Sequence, residues 1–171
     1  MGIIVYGKIT EDTRFVKKCY IDNADYFDYV TGIFKNYEGY YHIRYDHDLN
    51  EYIIYMLDKT CKTERCEDET LNNGLGLLEK KYRKYSDYDV FKSINTYYDQ
   101  HGNMVMVINV QSTKIKDANG WDEPDIRDLY LIYIDEEYIG SYDAFPIDYI
   151  RNNDVPIAGR WYYCSDNSYS G

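Results

Sequence analysis

Proline is nearly absent from this chain, with 3 in 171 residues, and no tract rich in Ser, Gly or Pro interrupts it. Nothing therefore marks a linker, and a chain of this length fits one domain with a sizeable core. Histidine is equally scarce: His42, His47 and His101 are the whole supply. No apolar run approaches the ~20 residues that a bilayer span requires, and mean hydropathy is −0.64. Residues 1–8 lack the charged region, apolar stretch and cleavage site of a signal peptide, and Tyr6 stands where a myristoylation signal needs Ser or Thr. These absences lead us to expect a cytoplasmic protein with no membrane partner.

Cysteine is limited to Cys19, Cys61, Cys66 and Cys164. An even number permits disulfides, but no export signal accompanies them, so reduced thiols are expected. Four residues separate Cys61 from Cys66, and no second Cys or His pair follows at zinc-finger spacing, so no metal centre is assigned.

The motifs of common chemistries are missing as well. Gly140-Ser141-Tyr142-Asp143 is not the nucleophile elbow of a hydrolase, and no Walker lysine motif occurs. The histidines precede Ile-Arg, Asp-Leu and Gly-Asn, which excludes the His-x-Ser/Thr pairs of two-histidine phosphodiesterases. Gly74-Leu75-Gly76 begins like a dinucleotide fingerprint, but Glu79 takes the place of the third glycine and no strand precedes it. Asp46-His47-Asp48 offers ligand or acid–base side chains, yet turn-forming chemistry alone explains that composition. Asp68 with Glu79-Lys80-Lys81 superficially resembles the carboxylates and lysine of metal-dependent nucleases, although an amphipathic helix accounts for it equally well. No catalytic residue and no cofactor are assigned.

Tyrosine and negative charge are what the chain has in excess. There are 23 Tyr residues, and the net charge is −11. Residues 1–116 hold 18 acidic and 16 basic side chains, whereas residues 117–171 hold 12 acids against Arg127, Arg151 and Arg160 alone. Such a field repels phosphate backbones and attracts basic protein surfaces.

Periodicity predicts an α+β domain over residues 1–164, with 165–171 as a tail. Residues 3–9 read as a strand, and Asn23 as the N-cap of a helix carrying Tyr26, Phe27, Val30, Ile33 and Phe34. Residues 39–45 and 51–57 read as a hairpin, with Tyr41, Ile43 and Tyr45 on one face and His42 and Arg44 on the other. Leu71, Leu75, Leu78 and Tyr82 mark a second helix, whose terminal Lys80, Lys81, Arg83 and Lys84 suit the helix dipole. Ser86 and Asp89 suggest a capping box that starts a third helix, running to about residue 98. Residues 104–110 predict a central strand covered on both faces, 129–134 another, 138–142 its pair and 161–164 a last short strand. About six strands, antiparallel or mixed, with two or three helices mainly on one face are expected.

The acids Asp122, Glu123, Asp125, Asp128, Asp135, Glu136, Glu137, Asp143, Asp148 and Asp154 are interleaved with Tyr138, Tyr142 and Tyr149. Carboxylates complement Arg and Lys on a partner, and tyrosines bury large areas at low entropic cost, so these residues are expected to bind a basic protein. The overall character is similar to that of the small acidic proteins with which phages and mobile elements block host nucleases. These include anti-restriction and anti-CRISPR inhibitors, some of which mimic DNA. That similarity implies a non-enzymatic inhibitor of a nuclease or another nucleic-acid-binding effector. An immunity protein against a toxin nuclease would use the same electrostatics. A sponge for a nucleotide signal, or a small metal-dependent enzyme, is the rival from another class; the sponge would need a cationic pocket, for which 80–84 is the only dense supply.

Overall fold

A computed structural model describes residues 11–46, 48–49, 51–58, 60–82, 91–115, 125–139 and 155–168. Three helices, α1 (Glu11–Ile21), α2 (Ala24–Phe34) and α3 (Glu69–Tyr82), accompany eight strands. The strands are β1 (Tyr40–Asp46), β2 (Glu51–Leu57), β3 (Thr63–Arg65), β4 (Ser93–Tyr98), β5 (Met104–Ile115), β6 (Asp125–Ile134), β7 (Val155–Ala158) and β8 (Trp161–Ser168). They form one sheet in the order β3-β2-β1-β4-β5-β6-β8-β7, every neighbouring pair antiparallel.

Strand alternation assigns the two faces. Tyr41 and Ile43, Tyr52 and Ile54, Ile94, then Met104, Met106 and Ile108 point the same way and share one core cluster with residues of all three helices. From α1 come Val16 and Cys19, from α2 Phe27, Val30 and Phe34, and from α3 Leu71, Leu75, Leu78 and Tyr82. Trp161 on β8 stands at the aromatic centre of this layer, with ring centroids 5.8 Å from Phe27 and 5.3 Å from both Tyr20 and Tyr133. Val105, Val107, Ile132, Ile134 and Tyr138 form a second cluster on the opposite face. β5 is therefore apolar on both sides, as its near-continuous hydrophobic run requires.

The sheet is larger than the six strands expected. Residues 93–98 are strand β4 rather than the end of a helix: Ile94 and Thr96 are buried while Ser93, Asn95 and Tyr97 face the other way. Pairing to β1 and β5 holds 93–98 extended, since β-branched Ile and Thr pack well on a pleated surface, while Ser86 and Asp89 of the expected capping box lie outside the described residues. β3 is three exposed residues and β7 holds Pro156, so neither has a readable apolar pattern. β6 pairs with β5 and β8; of the strand expected at 138–142, Tyr138 and Ile139 are outside any strand, and 140–142 lie outside the described residues. β8 runs through Ser168 and takes in most of the expected tail. The strand expected at 3–9 lies outside the described residues, and α1 carries no expectation from the sequence.

Asn23 precedes α2 as expected, but its side chain does not cap that helix. Its backbone carbonyl accepts from Tyr26 and Phe27, while its amide donates to the Cys19 carbonyl at 2.7 Å and the Tyr82 hydroxyl at 3.1 Å, tying α1 to α3. α2 also rests on α3 through Tyr26, whose ring lies on Gly74 and whose hydroxyl donates to the Leu71 carbonyl at 2.7 Å. None of the four cysteines is in a disulfide, and burial pushes the Cys19 thiol up to about 12, which makes it an inert core group. Among the described residues no helix is long and apolar enough to cross a membrane.

Candidate interaction surface

The nuclease-like fragment is not assembled. Asp68 accepts the Leu71 N–H at 2.6 Å and so starts α3, while Glu79 is buried three turns away, about 16 Å along the helix. Asp46 Oδ1 accepts the N–H groups of Asp48 and Leu49 at 2.9 and 3.0 Å, the turn chemistry its composition suggests; His47 lies outside the described residues. Among the described residues there is no group of three or more His, Cys, Asp or Glu placed to hold a metal ion.

Of the residues expected to meet a partner, Asp122, Glu123, Tyr142, Asp143, Asp148, Tyr149 and Asp154 lie outside the described residues. Asp125 opens β6, and Asp128 is half-buried three residues further along it. The remaining four meet at one end of the sheet. Glu136 and Glu137 are exposed in the turn after β6, whereas Asp135 and Tyr138 are 6% and 4% exposed and lie inside the fold. Asp135 accepts the Met104 N–H at 2.8 Å, the Tyr133 hydroxyl at 2.8 Å and Arg160 Nη1 at 3.0 Å. Neither Asp135 nor Tyr138 presents its side chain to a partner. A charged letter inside an acidic run carries no sign of burial; only the register of β6 beside β5 reveals that Asp135 must receive the first N–H of β5.

Two acids that the sequence does not single out join Glu136 and Glu137. Asp99, in the turn between β4 and β5, accepts from the His101 and Asn103 N–H groups, the Asn103 amide and the Ile139 N–H, at 2.8 to 3.1 Å. The Asn103 amide also donates to the Glu137 carbonyl at 3.2 Å, so the two turns are pinned together. Glu38 is exposed just before β1, and the charges of Asp99 and Glu38 add to burial in raising the Tyr138 hydroxyl above its ordinary value. Lys35 and Arg160 are the basic side chains here. With Asn103, Asp135, Glu136 and Glu137 they line a shallow cleft of about 220 Å³.

Asp99 is held ionised. Burial pushes its carboxyl up, but the Asn103 amide and the N–H groups of Ile139, Asn103 and His101 outweigh burial and bring it to about 2 from 3.8. A folded-state value below the unfolded one means stability that is present above pH ~4 and lost as pH falls through about 2. The difference in melting temperature between wild type and Asp99→Asn is thus expected to be largest near neutrality and to close between pH 4 and 2. A difference that stays constant over that interval would contradict the assignment.

No protein-family model matches the chain, and neither a curated protein nor a solved structure matches it significantly.

Proposed function

We propose that the protein is a non-enzymatic binder that inhibits a basic, nucleic-acid-handling protein by occupying its cationic surface. The observation that supports this best is the acidic corner: Glu136, Glu137 and Asp99 sit on turns pinned together by hydrogen bonds, Glu38 is exposed just before β1, and Lys35 and Arg160 are local counter-charges. The Glu136 side chain is 84% exposed and lies 3.8 Å from Arg160 Nη2. Preorganised carboxylates of this kind steer association and give bidentate partners to arginine. Relative to the sequence expectation, Asp135 and Tyr138 act as internal supports, and Asp99 and Glu38 join the contact set. A phage or mobile-element inhibitor of a nuclease, of the anti-CRISPR or anti-restriction kind, fits these electrostatics.

Capture from a host lysate at low and high salt tests the reading. A basic nucleic-acid-binding protein should be retained at low ionic strength and released as salt is added. Exchanging Glu136 and Glu137 together for Lys is expected to slow association with that protein about tenfold while changing dissociation little. Retention that ignores salt, or that survives the double exchange unchanged, would refute the proposal.

A further inference from the structure

The face of the sheet opposite the helices carries a second polar site. Cross-strand pairing places His42, Ser93 and Asn109 in one row over β1, β4 and β5. A cleft of about 420 Å³ opens over this row, with Tyr40 and Arg44 to either side on β1 and Lys92 at the head of β4. Asn109 is 7% exposed, and its side-chain Oδ1 is buried with no hydrogen-bond partner. The same face of β5 carries Val105 and Val107, so an apolar residue at 109 would continue the pattern without leaving an amide unsatisfied. A buried polar group that the fold leaves unpaired points to a partner that the fold does not supply.

The charges around the cleft give the partner its sign. Arg44 is exposed and has no carboxylate partner among the described residues. Glu51, the acid nearest it on β2, is bound to Arg65 at 3.1 Å, and Asp46 Oδ1 caps the hairpin turn. Lys92 follows Phe91, a non-glycine residue at φ 62, a conformation held by the Phe91 N–H to Val110 and the Lys92 N–H to Asn109. Tyr40 adds a ring that is 36% exposed. Cations answer a phosphate, an open aromatic ring stacks a base, and a side-chain amide with both donor and acceptor reads a base edge. From this juxtaposition we infer that the cleft binds a small phosphate-bearing nucleotide, its phosphate on Arg44 and Lys92 and its base edge on Asn109 beside Tyr40. Ser93 and Asp99 stand at opposite ends of β4, roughly 20 Å apart, so the site is independent of the acidic corner.

Calorimetric titration of the full chain with each common ribonucleoside 5′-monophosphate, with inorganic phosphate and with the free nucleosides as separate arms, tests the assignment. At least one monophosphate should bind about tenfold or more tightly than phosphate or its own nucleoside, and Arg44→Ala should weaken it by about tenfold or more. Asn109→Leu should abolish the preference over phosphate while leaving the urea midpoint unchanged or raised, which separates lost recognition from lost folding. Absence of binding by every monophosphate would overturn the inference. So would equal binding of phosphate or nucleoside, or unchanged affinity in both variants.

Discussion

Asp135→Ala is expected to destabilise the fold by about 3 kcal/mol, read as a lower urea midpoint at unchanged slope. The carboxylate is 6% exposed and collects three donors, one of them the main-chain N–H of Met104, a residue with no exposure of its own. Truncation leaves that buried N–H without its acceptor and removes the counter-charge of Arg160. Asp135→Asn keeps an oxygen for Met104 and should cost about half as much. Arg160→Ala should cost about 1 kcal/mol or less, because the Arg160 side chain is 49% exposed and water replaces it. The ordering Ala, then Asn, then the Arg160 change is the signature of an acid that supports the fold. A neutral Asp135→Ala would return this residue to the surface set.

Gly74→Ala and Gly76→Ala should have opposite signs, although both glycines lie in the interior of α3. A Cβ at Gly74 would stand 1.9 Å from Tyr26 Cε2, and the ring has no free retreat because its hydroxyl is tied to Leu71. The intrinsic gain of alanine in a helix, up to about 1 kcal/mol, is outweighed by the displaced ring, for a net loss of about 1–3 kcal/mol. At Gly76 nothing lies within 4 Å of the added methyl, so the full gain of about 0.5–1 kcal/mol should appear. Thermal melts of the two variants decide the point: a stabilised Gly74→Ala would mean that α2 does not rest on α3 through this ring.

Elements with a strong period were legible from their letters. α3 announced itself through Leu71, Leu75, Leu78 and Tyr82, and the β1–β2 hairpin through alternation about Tyr41 and Ile43. β4 was not legible, because Ile94 and Thr96 become a strand only by finding β1 and β5 on either side, a non-local choice that no eleven-residue window contains. The same limit applies to the surfaces. Composition pointed to acid in the final third, yet Asp99 and Glu38, which belong to the corner, come from the first 116 residues and arrive through sheet order. His42, Arg44, Lys92 and Asn109 are scattered over 68 positions of sequence, and strand pairing alone makes one site of them.

The two rims of the described sheet bear on how the molecule behaves when crowded. A broad, tyrosine-rich layer offers unsatisfied main-chain groups wherever it stops, and a long smooth border would invite another copy to stitch on. Here one border is β3, three residues long with Glu64 and Arg65, and the other is β7, four residues long and lacking the amide hydrogen of Pro156. Brevity, charge and a missing donor blunt both borders. Neither border of the described sheet therefore offers a second copy a long, smooth strand to pair with.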